Sequence, residues 1–157
     1  MLTAQVPPVP DEPFLLSITG DLFFSSRIAG AARCLRRSPD DEEGVKLVTV
    51  IAVEKAGDHL ASPHCRGVLL DLKLPRLDVV GIVDAYCGSR GEDAAQCAAT
   101  VLAYGPHVHK QQLQAAREAG CVVVTHARLD VEVNDLMAAM WKGETPRLRS
   151  NRREEVA

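Results

Sequence analysis

Apolar residues gather into five short, nearly unbroken runs: Phe14 to Ile18, Val45 to Val53, Gly67 to Leu72, Ala98 to Tyr104 and Val122 to Thr125. Runs of this length, rich in β-branched residues and without polar alternation, predict strands covered on both faces. Between them the apolar positions change to helical spacing. Asp21 is placed to cap a helix whose stripe is Phe24, Ile28, Ala31 and Leu35. A short helical turn is expected over Glu54 to Ser62. Asp78 caps a third helical segment, with Val79, Ile82, Val83 and Tyr86 on one face and Gly88 as its stop. Gly105 and Pro106 open a helix that runs to the neighbourhood of Ala119 and is closed by Gly120. Asp130 is expected to cap the last helix, with Val133, Leu136, Met137 and Met140 along one side.

Strand and helix therefore alternate five times. Parallel neighbours need right-handed crossovers, so the pattern predicts an α/β three-layer sandwich: a five-stranded parallel sheet with helices on both faces, of flavodoxin-like type. In such folds ligands meet the carboxyl ends of the strands. The domain spans residues 14–141, after a Pro-rich extension over 1–13 and before a charged tail over 142–157 that is expected to be flexible. The acidic stretch from Ser38 to Gly44 and the polar stretch from Gly88 to Gln96 read as loops.

Composition narrows the function classes. Only 4% of the 157 residues are aromatic, which leaves no stacking platform for single-stranded nucleic acid. A formal charge of -3 argues against a surface devoted to a polyanion. No segment is apolar enough to cross a bilayer, and Met1 to Pro13 has no secretory pattern, so the expected location is cytoplasmic. The five cysteines Cys34, Cys65, Cys87, Cys97 and Cys121 form no C-x-x-C pair and read as free thiols, with Cys34, Cys97 and Cys121 as small core residues.

The most specific local signal is Leu69-Leu70-Asp71-Leu72-Lys73-Leu74-Pro75-Arg76-Leu77-Asp78. It resembles the phosphoacceptor strand and loop of response-regulator receiver (CheY-like) domains, which read as apolar residues, Asp-Leu-x-x-Pro and a later Asp. The resemblance follows the order of elements from Phe14 to Trp141. It implies that Asp71 stands at the phosphoacceptor position, that Thr19, Gly20 and Asp21 stand at the acidic loop that holds Mg2+, and that Tyr104 and Val124 stand at the switch positions. Counted from Gly120, the lysine position falls on Ala127, and a shift of one residue would put His126 there.

Receiver chemistry needs a carboxylate nucleophile, a divalent cation held by neighbouring carboxylates, and a lysine that offsets the remaining phosphoryl charge. Of these only Asp71 and Asp21 are present. The expected protein is a degenerate pseudo-receiver that is not an enzyme, needs no cofactor, and acts as a stand-alone protein interaction module in signalling or regulation. A homodimer is open, and membrane and nucleic-acid partners are not expected. Two alternatives stay beside it: a phosphorylatable receiver in which Asp71 and Asp21 bind Mg2+ weakly, and a flavodoxin-like enzyme or small-molecule binder using Asp71, His107 or Tyr104.

Other candidates read as structural. His107 and His109 lie at a helix start but do not share a face, and His59, His64 and Cys65 match no zinc spacing. Arg27, Arg33, Arg36 and Arg37, and Arg147, Arg149, Arg152 and Arg153 in the tail, read as solvated charges. Val101, Leu113 and Val122 are positions where exposure would mark an interface.

Overall fold

The computed structural model describes residues 6–35, 45–88, 97 and 100–142. The elements, in chain order, are β1 (Phe14–Ile18), α1 (Leu22–Cys34), β2 (Leu47–Val50), α2 (Gly57–Ala61), β3 (Cys65–Asp71), α3 (Val79–Gly88), β4 (Val101–Gly105), α4 (Lys110–Glu118), β5 (Val122–Thr125) and α5 (His126–Trp141). All strand pairings are parallel and the order is β2-β1-β3-β4-β5. The predicted architecture is therefore the observed one.

Each strand sends alternate residues to opposite faces. Phe14, Leu16, Ile18, Val68 and Leu70 face one core, which α2, α3 and α4 close with Leu60, Ile82, Tyr86 and Leu113. Leu15, Leu69, Leu102 and Tyr104 face the other, closed by α1 and α5 with Phe24, Ile28, Val133, Met137 and Met140. Both faces are covered, which is why the strands carry no polar alternation.

Asp21 caps α1, its Oδ1 accepting from the amides of Phe23 and Phe24 at 2.8 and 3.3 Å. Asp78 does the same for α3 through Gly81, and α3 ends at Gly88. Gly120 closes α4 with φ 93°, a left-handed conformation that glycine adopts without steric cost.

Several boundaries differ from the sequence reading. The second strand shrinks to Leu47–Val50, because Val45 instead donates its amide to Ala32 beyond the sheet, and the helical turn after it divides into a 3-10 turn at Val53–Lys55 and α2. The fourth strand begins at Val101, since Thr100 is held in a turn by its own bonds to Cys97. Gly105 belongs to β4, and α4 starts only at Lys110. The last helix begins at His126 under a cap from Thr125, whose hydroxyl accepts from Arg128. Asp130 lies inside that helix and pairs with Arg27 of α1 at 2.8 Å, with a second bond from Arg27 to its carbonyl.

Three of the five cysteines, Cys34, Cys87 and Cys97, also differ. Cys87, at the end of α3, and Cys97 form a disulfide with their Cα atoms 5.6 Å apart, within bridging reach. Cys34 is exposed at the end of α1, whereas Cys65 and Cys121 are buried free thiols. His59 lies in α2, buried beside the Phe14 ring. Val101 and Leu113 are buried and Val122 half-buried, so the exposed apolar side chains lie elsewhere. The loop at Ser38–Gly44, Arg36 and Arg37, residues 89–96 and the tail beyond Lys142 lie outside the described residues.

Candidate functional site at the carboxyl edge

β1, β3 and β4 lie side by side, so the loops after them converge. Asp71 is the last residue of β3, in register with Tyr104 on β4. It is 3% exposed, and both carboxylate oxygens are engaged: Oδ2 accepts from the Thr19 hydroxyl at 2.7 Å and Oδ1 from the Lys73 amide at 2.9 Å. Thr19 follows β1 and is itself buried. Its Oγ1 also accepts from the Asp21 amide at 3.0 Å, so one hydroxyl joins the ends of two strands.

Tyr104 is fully buried beside this group. Its ring lies against Phe24 and His126, with centroids 5.5 and 5.8 Å away, and Phe24 and His126 are 4.5 Å apart. Three rings from α1, β4 and α5 thus pack together at the edge where Tyr104 stands in register with Asp71. The Tyr104 hydroxyl has no hydrogen bond of good geometry. Burial raises its pKa strongly; the nearby Thr19 hydroxyl offsets a part, and the charges of Asp71 and Asp21 add to the rise.

His126 directly follows β5. Its Nε2 is buried without a partner. Desolvation lowers its pKa below the ordinary value; Asp71 and Asp21 pull it up, and Lys73 and His109 push it down. His126 is half-buried, while Ala127 is exposed. Val124 is buried in the core on the α1–α5 side. Gly20 is exposed and Asp21 half-buried at the same edge. His107 and His109 are exposed in the loop after β4. The ring cluster was not foreseen as a unit, because Phe24 read as a stripe residue and His126 only as an alternative alignment.

No protein-family model matches the chain, and no curated protein matches it. Solved structures do. The receiver domain of a sensor histidine kinase from Pseudomonas aeruginosa, with magnesium in its active-site cleft, superposes with a TM-score of 0.61 at 15% identity, over 85% of this chain and 99% of that one. The receiver domain of NtrX from Brucella abortus gives 0.60 at 15% identity, over 82% and 98%. A two-component response regulator of the LuxR family from Aurantimonas gives 0.60 at 17% identity, over 94% and 100%. The class defined by sheet order, layers and these likenesses is the flavodoxin-like α/β sandwich. Within that class the chain has the fold of response-regulator receiver domains.

Proposed function

We propose that this chain is a pseudo-receiver: a signalling or regulatory module that works by binding another protein, without phosphotransfer, enzymatic activity or Mg2+. The observation that carries this reading is the state of Asp71. Its oxygens are held by Thr19 and Lys73, and the buried Tyr104 ring, in register with it on β4, packs with Phe24 and His126 at the same edge. A phosphoryl acceptor needs a carboxylate free to attack and room for three further oxygens.

The donor set does not suit a divalent cation. Mg2+ takes oxygen ligands in a near-octahedral shell. Here Thr19 and Gly20 supply no carboxylate, and Asp21 Oδ1 is engaged in capping α1. Among the described residues no three His, Cys, Asp or Glu side chains gather to hold a metal. None of the described helices is long and apolar enough to cross a membrane, and a cytoplasmic location belongs to the same proposal.

The test is incubation with Mg2+ and acetyl phosphate, followed by mass spectrometry, and an amide spectrum recorded with beryllofluoride. The expected result is an unchanged mass and spectrum. A phosphoryl adduct that disappears in Asp71→Asn would overturn the proposal in favour of a phosphorylatable receiver.

A further inference from the structure

The loops after β3 and β4 carry an unbalanced set of charges. Lys73 and Arg76 on the first and Lys110, where α4 begins after the second, are all exposed cations, and the neighbouring His107 and His109 are exposed as well. Asp78 is the one exposed carboxylate in either loop, and its Oδ1 is engaged with the Gly81 amide at the start of α3. The two loops share a face. The amide of Leu72 donates to the Tyr104 carbonyl at 2.9 Å, and a Cβ placed on Gly105 would come within 3.2 Å of Leu72 Cβ. The positive end of the α4 dipole lies there too, with no side-chain cap from His109.

Two large apolar side chains accompany these cations. Val108, between the two histidines, is 65% exposed, and Val80, in the first turn of α3, is 56% exposed. Arg76 has φ 59°, a left-handed backbone that is uncommon for a residue with a long side chain.

We infer that the β3–β4 carboxyl edge docks an acidic peptide segment bearing apolar side chains, supplied by the protein partner. This rests on the interaction-module reading and specifies its surface. Charge complementarity selects an acidic segment, with carboxylates opposite Lys73, Arg76 and Lys110 and an apolar side chain against Val108 or Val80. A nucleic-acid strand fits less well. It would leave both valines uncovered, and extended across the sheet edge it would meet Asp21 and Glu54 after β1 and β2.

The test uses the full chain and fluorescent synthetic peptides: one alternating Glu and Leu, one with Lys for Glu, one with Ser for Leu, and an oligo-dT strand. The expected result is preference for the Glu-Leu peptide, weakened by salt, with amide shifts over residues 73–80 and 105–110. Lys73→Glu combined with Arg76→Glu should weaken binding about tenfold or more, equivalent to about 1.4 kcal/mol. The same charge reversal at exposed Arg117, in the last turn of α4, should leave it unchanged. All three changes are at exposed positions, and thermal melts confirm that each variant folds. Absence of shifts at these amides, indifference to the double substitution, or preference for the Lys peptide or oligo-dT overturns the inference. Binding at this face that appears only with beryllofluoride keeps the surface and overturns the phosphorylation-independent reading.

Discussion

Thr19 is the side chain on which the site turns, because one buried hydroxyl donates to Asp71 and accepts from Asp21. Thr19→Val keeps the shape and removes both bonds, leaving a buried carboxylate oxygen and an amide without partners. The expected loss is about 1–3 kcal/mol, read as a lower urea midpoint. Tyr104→Phe goes the other way. It deletes a buried hydroxyl that lacks a well-formed hydrogen bond, so stability should be unchanged or higher by about 1 kcal/mol.

The rings of Tyr104 and His126 also make stability depend on pH. The pKa of Tyr104 is raised in the fold, so its contribution is complete below the unfolded value of about 10 and is lost as pH rises beyond it. That of His126 is lowered, so its contribution is complete above about 6.5 and is lost as pH falls through the folded value. His126→Phe keeps a ring against Phe24 and Tyr104 but removes the titration. Urea midpoints at pH 7.5 and 5.5 should therefore differ less in this variant than in the parent; an equal difference would exclude His126 as the cause.

At the scale of elements, the largest departures from the sequence reading arise where two signals compete. Asp130 has the residue type of a helix cap, but Thr125 lies one turn earlier and takes that role, freeing Asp130 to tie α5 to α1 through Arg27. With both side chains nearly half exposed, Arg27→Ala should cost no more than about 1 kcal/mol, measured by denaturation. Gly67 in β3 is different. A Cβ there would lie 2.7 Å from Met140 Cε, 3.2 Å from the Thr100 carbonyl and 3.3 Å from Leu15 Cδ2. Met140 can move but the Thr100 backbone cannot readily do so, and Gly67→Ala is expected to cost about 1–3 kcal/mol, seen as a lower melting temperature with the fold retained.

For the whole molecule, sheet type and layer order were legible because burial on both faces leaves a direct mark: apolar runs such as Val122 to Thr125, without alternation. The identity of Asp71 was legible for the same reason, as a lone acid ending such a run before Leu-x-x-Pro. Its surroundings were harder to read. That Thr19 would bond it, and that rings from α1, β4 and α5 would meet beside it, depends on contacts between residues far apart in the chain. The disulfide was hidden likewise, since Cys87 and Cys97 match no spacing motif and pairing depends on the path between them. Thiol chemistry gives a global check. Burial pushes Cys121 up to about 11, so in the native protein iodoacetamide at pH 8 should modify exposed Cys34 and spare Cys121 and Cys65 until urea is added.

The bonds around Thr19 form a relay. Asp71 orients the hydroxyl, the hydroxyl holds the Asp21 amide, and the Asp21 carboxylate seats the first turn of α1, where Leu22 and Phe23 are 84% and 60% exposed. The carboxylate at the centre of the sheet is thereby tied to an apolar tip at its surface through two intervening residues. Loss of the Asp71 carboxylate is therefore expected to loosen the first turn of α1.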